Sequence, residues 1–224
     1  MDRGWLCSGI LEVNNKVHYG GLVRCECQAE NDERLKQLHL MKYCRLPDTA
    51  IDITFDTFNL RPGLEQAYAK AQMLASGSGE LQWLTLMGEC DTGKSHLAMA
   101  VARCWMNRGD TVRYAAVPEL LDDLRNAYNP GHEISYELEF NILKEAKLLI
   151  LDDLGMESPT PWAQEKLDLI VELRSRSQKA LLVTTNLPLN KLSMRIASRL
   201  QRFRPGDIVA IEAEEYTQYR GKGK

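Results

Sequence analysis

From residue 81 to residue 212 short apolar runs alternate with longer stretches whose apolar positions recur at helical spacing. The runs predict strands at 81–87, 111–115, 147–152, 180–185 and 207–212. LQWLTLM, the first of them, has the continuity of a strand buried on both faces. The intervening stretches predict helices at 94–107, near 118–127, at 135–145, at 160–178 and near 193–201. Strand and helix in strict alternation predict an α/β fold, a parallel sheet covered by helices on both faces. Upstream, LEQAYAKAQMLA predicts a helix from about 63 to 75. ITFDTFNLRPG precedes it and the glycine-serine punctuation SGSGE follows at 76–80.

Residues 1–46 depart from this rhythm. They hold Gly20-Gly21, three cysteines between positions 7 and 27, and VHYGGLVRCECQ, which alternates like a short hairpin strand. The expected division is a small cysteine-containing module over 1–46 and a main domain over 47–224.

Composition narrows the class without naming a chemistry. A chain of 224 residues with 44% hydrophobic and 26% charged residues is that of an ordinary globular domain, not of a disordered or fibrous protein. No run of 18 apolar residues and no signal-like N-terminus occurs, so a cytoplasmic protein with no membrane partner is expected. The six cysteines, at 7, 25, 27, 44, 90 and 104, do not form the pattern of a disulfide framework, and reduced thiols are expected. A net charge of −3 gives no global attraction to nucleic acid or anionic lipid.

The chemistry sits where strands end. GECDTGKS at 88–95 follows a strand and opens a helix, and it fits a phosphate-binding loop. In such a loop Gly88, Glu89, Cys90, Asp91, Thr92 and Gly93 turn backbone N–H groups toward phosphates, with His96 just inside the helix. Lys94 reaches the terminal phosphates and Ser95 ligates magnesium. Asp91 puts a carboxylate near a bound triphosphate, which weakens binding unless its side chain turns away. KLLILDDLG at 147–155 runs four apolar residues into two acids at a strand's carboxyl end, where open α/β sheets bind ligands. Asp152 there suits magnesium through water, and Asp153 suits orienting or deprotonating an attacking water. ALLVTTN ends in Asn186, a neutral amide able to hold that water or the γ-phosphate, or simply a turn residue. RIASRLQRFRP at 195–205 carries four arginines. Arg199 is the candidate to meet a γ-phosphate from a neighbouring subunit; the alternative is a solvated basic face.

These elements in this order resemble the AAA+ ATPases, a P-loop NTPase class. TFDTF, GKSHLA, LLILDDLG, TTN and SRL are similar to the DnaC/DnaI/IstB family of helicase loaders and transposition helpers. The resemblance covers about residues 46–220. It implies ATP and Mg2+ as cofactors, Lys94 and Ser95 as the phosphate-loop pair, Asp152 and Asp153 as Walker B acids, Asn186 as sensor 1, and Arg199 as an arginine finger in trans. It further implies a lidless core, since the chain stops about twelve residues after its last strand, and self-association into a ring segment or spiral. The helices around PELLDDLRNAY and SYELEFNILKEA resemble an insertion that faces single-stranded DNA, although their own composition is acidic.

In the N-terminal module Cys25 and Cys27 resemble the later pair of a zinc-binding module of DnaI-like loaders. Cys7 and His18 either complete a Cys3His site or leave the motif partial, with thiols packed in a small subdomain. The expected function is an ATPase that loads a replicative DNA helicase and contacts single-stranded DNA. An IstB-type helper of a transposase and a nucleotide-gated adaptor with little hydrolysis are the alternatives.

Overall fold

The computed structural model describes residues 5–13, 16–24, 44–47, 50, 52–127, 136–157, 160–214 and 216. Strands β1 (Trp5–Val13) and β2 (Lys16–Arg24) pair antiparallel as a hairpin. The sequence pattern indicates only the second of these, because Cys7-Ser8-Gly9 interrupts β1 with weak strand formers.

The main domain follows the predicted alternation closely. Helix α1 (Glu65–Ser76) ends at Gly77, whose left-handed conformation lets its N–H return to Leu74. Then come β3 (Trp83–Gly88), α2 (Lys94–Asn107), β4 (Val112–Ala116), α3 (Val117–Asn126) and α4 (Tyr136–Glu145). The last elements are β5 (Leu148–Asp152), α5 (Pro161–Ser177), β6 (Ala180–Thr185), α6 (Met194–Arg202) and β7 (Gly206–Ile211). Thr160 and Ser193 cap α5 and α6, each accepting from the backbone N–H three residues on.

The five strands β3–β7 form one parallel sheet in the order β4-β5-β6-β3-β7. Alternate residues of each strand face opposite layers, which divides the core in two. Leu84, Leu86, Leu148, Ile150 and Leu182 pack under α1 and α2. Trp83, Leu149, Leu151, Leu181 and Val183 pack under α3–α6, where the Trp83 ring stacks on Phe203 at 4.1 Å.

Two buried arginines lock the frame. Arg174 of α5 donates to the carbonyls of Ala146 (2.6 Å), Lys147 (3.1 Å) and Ala180, joining the entries of β5 and β6. Arg113 of β4 pairs with Glu139 of α4, both about 2% exposed. Arg45 bridges Glu139 at 3.3 Å to Asp123 of α3 at 2.5 Å. Two acids of the acidic α3–α4 stretch are therefore consumed internally. Among the described residues no helix is long and apolar enough to cross a membrane.

Candidate nucleotide site

Because the strands are parallel, β3, β5 and β6 deliver their carboxyl ends to one edge of the sheet, where β3 lies between β6 and β7. The loop after β3 curls into the N-terminus of α2, whose first intrahelical return is Leu97 N–H to Gly93 at 3.1 Å. The preceding amides of Lys94, Ser95 and His96 have no acceptor in the helix and form an anion-seeking end. Two glycines in the loop are sterically required. A Cβ at Gly88 would stand 2.8 Å from the Ile211 carbonyl oxygen of β7, and Gly93 has φ +97° with Phe58 3.0 Å from where its Cβ would lie.

Lys94 is buried within the loop. Its ammonium donates to the carbonyl oxygens of Gly88 (3.0 Å) and Glu89 (2.6 Å) and to Thr92 Oγ1 (3.3 Å). Burial lowers its pKa, while the charges of Asp153, Cys90, Asp152 and Glu89 act in the opposite direction. Gly88 and Glu89 thus serve the lysine through their carbonyls and are not among the residues lining the cavity.

Behind the loop, Ser95 Oγ donates to Asp152 Oδ1 at 3.0 Å. Thr184 of β6 donates to the same carboxylate oxygen and Tyr114 of β4 to the other. Burial and the Asp152 charge both raise the Tyr114 pKa, so it stays a donor. Asp153 adopts φ +58° and turns toward the cavity, its own N–H held by Thr184 Oγ1 at 2.9 Å. Burial first and the neighbouring Asp152 second raise the Asp153 pKa, with Lys94 opposing.

A cavity of about 630 Å³ opens over these groups. Lys94, Ser95, Asp153 and Asn186 reach it together with Cys90, Asp91, Thr92, Gly93 and His96. The Asn186 amide oxygen is buried there without a hydrogen-bond partner among the described residues. This orphaned acceptor, the loop amides and the adjacent Ser95 and Asp152 oxygens form a donor and acceptor set that fits a magnesium nucleotide. His96 has a bracing role. Its Nε2 meets the Thr54 carbonyl at 2.9 Å and its ring stands edge-on to Phe58 at 5.1 Å. Asp91 is exposed, in the left-handed region at φ +56°, and its carbonyl accepts from Tyr216 N–H at 2.8 Å.

Several cavity residues come from segments to which the sequence pattern assigns no site role. Thr57, Phe58, Asn59 and Arg61 line one wall, and Tyr216 lines another. Arg61 donates to the Glu214 and Thr92 carbonyls and lies 5.3 Å from the Tyr216 ring centre, tying the start and end of the domain to the phosphate loop. The Asp152 clamp comes from Tyr114, which follows Arg113 in β4, and from Thr184, the first of the two threonines ending β6.

Arg199 does not line this cavity; it pairs with Glu172 of α5. In the hairpin, Cys7 stands opposite Leu22 and His18 opposite Leu11. Cys25 and Cys27 lie outside the described residues, and no metal-binding cluster occurs among those that are described.

A parallel sheet of this order, with a phosphate loop after one strand and paired acids ending another, defines a P-loop ATP-binding protein of the AAA+ class. The family model described as IstB-like ATP binding protein matches residues 12–198, and the chain belongs to that family. The replicative helicase loader DnaC of Buchnera aphidicola subsp. Baizongia pistaciae is 27% identical over 136 residues, 60% of this chain and 55% of that protein. DnaC of Buchnera aphidicola subsp. Acyrthosiphon pisum is 20% identical over 204 residues, 89% of this chain and 83% of that one. The chain therefore spans little more than half of the first relative's length. A crystal structure of the DnaC helicase loader shares the fold with TM-score 0.65 and 19% identity, over 74% of this chain and 100% of that one.

Proposed function

We propose that this chain is an ATP-hydrolysing helicase loader. It binds a replicative DNA helicase and single-stranded DNA, and its nucleotide state controls deposition and release of the helicase. The observation that supports this best is the convergence of Lys94, Ser95, Asp153 and Asn186 on one cavity, with Asp152 buried behind it on Ser95 Oγ, in a chain with relatives named replicative helicase loaders.

In this reading Lys94 exchanges its contacts with the loop carbonyls for phosphate oxygens, and the α2 amides bind the same anion. Ser95 and Asp152 would hold Mg2+, and the ion would supply neutralisation of the charge that develops on the phosphates. Asp153, more basic than an ordinary aspartate, takes the proton of the attacking water, and Asn186 orients that water without adding charge. Arg199 acts on the nucleotide of a neighbouring copy, so the site is shared and turnover is slow in an isolated protomer. The module at 1–46 is the surface for the helicase, and the domain at 47–224 contacts DNA.

Tagged protein incubated with the host's replicative helicase, with and without ATP, tests the partner directly. Capture that changes with nucleotide supports the loader. No capture, together with ATP-dependent assembly whose extent follows duplex length, would reverse the choice toward a transposase helper.

A further inference from the structure

We infer that Glu172 is the positioning residue for Arg199, an inference that rests on the reading of Arg199 as a group acting on a neighbour's nucleotide. Helix α5 presents Asp168 and Glu172 one turn apart, and α6 presents Arg195 and Arg199 one turn apart against them. Ser193, the cap of α6, donates to Asp168 Oδ1 at 2.6 Å, which fixes where the helix starts. Ile196 and Leu200 are buried beneath it, which fixes its face. On this seated helix the two arginines are held differently. Arg195 is 79% exposed and only 4.0 Å from Asp168, whereas Arg199 is 32% exposed and paired through Nη2 with Glu172 Oε2.

The other oxygen of Glu172 is occupied as well, by Arg176 Nε at 2.7 Å. The carboxylate therefore meets Arg199 at Nη2, and a guanidinium's planar fork carries further N–H donors that suit a phosphate oxygen. An arginine side chain has several rotatable bonds, and one held at a single N–H has surrendered most of that freedom before any neighbour arrives. Glu172 thus preorganises the guanidinium that completes the next protomer's site, and it contributes nothing to the cavity of its own chain, which it does not line.

The test is protomer-specific complementation. An equimolar mixture of Lys94→Ala and Arg199→Ala proteins forms sites in which one copy lends its arginine and the other its phosphate loop. Glu172→Gln is then added to one copy or the other. Carried by the arginine donor (with Lys94→Ala), it lowers kcat roughly tenfold with little change in KM for ATP. Carried by the loop donor (with Arg199→Ala), it leaves the turnover of the mixture unchanged. Glu172→Asp in the arginine donor keeps more of the rate than Glu172→Gln, and thermal melts of each variant check the fold. An equal loss in both arrangements, no loss in either, or a gain in the arginine donor would overturn the positioning role while leaving the shared site standing. Failure of the parent mixture to regain turnover would instead remove the reading of Arg199 and the inference with it.

Discussion

Asp153 and Lys94 line the cavity at a cost in stability. Both are drawn out of water, and each carries a charge that burial disfavours. For Asp153 the folded-state pKa is raised, so the folded chain binds its proton more tightly than the unfolded chain. Ionisation above that pKa therefore costs stability, and below the ordinary aspartate value of about 3.9 the cost is absent. Asp153→Asn is expected to melt a few degrees higher than wild type at neutral pH, with the gap closing as pH falls toward 4, and to lose turnover. Thermal melts across pH check the first point and a phosphate-release assay the second. The residues legible in the sequence were those whose role is written locally. The loop at 88–95 and the acids at 152 and 153 sit at strand ends that the apolar pattern marks. Phe58, Arg61, Tyr114, Thr184 and Tyr216 were not legible as site residues, because their places depend on chain segments far apart in sequence meeting at one cavity.

Among elements, the sheet strands and their covering helices were readable because each apolar run is bounded by polar turns and is long enough for one strand or helix. The predicted bounds at 94–107 and 180–185 coincide with α2 and β6. Strand order was not readable, since insertion of β3 between β6 and β7 is decided by packing at a distance. Nor was the fate of the charges on the acidic helices. Glu139 of α4 in fact balances Arg113, buried in β4, and shares Arg45 with Asp123 of α3. Burial lowers the Arg113 pKa even with Glu139 beside it. Removing the carboxylate leaves a buried guanidinium without its counter-charge, so Glu139→Ala is expected to cost about 3 kcal/mol or more. In a chain of this size that lowers the melting temperature by roughly 6–12 °C. A denaturant titration of wild type and variant gives the difference, and Glu139→Gln, which keeps a hydrogen-bond acceptor, is expected to lie between them.

At the scale of the molecule, the parallel sheet does one thing for function: it brings the ends of β3, β5 and β6 to one edge, so that residues nearly a hundred positions apart share a cavity. Arg199, carried on α6, does not line that cavity and is seated on Glu172 instead. The proposed loader follows from an ATP-binding family fold and from relatives named for helicase loading. Steady-state ATP turnover of wild type and Lys94→Ala, each with and without single-stranded DNA, tests that account most directly. It predicts slow hydrolysis by wild type that rises with protein concentration and with DNA, and a loss of at least about a hundredfold in Lys94→Ala under every condition. Turnover by Lys94→Ala equal to wild type, or none by wild type at any concentration of protein and DNA, would contradict it.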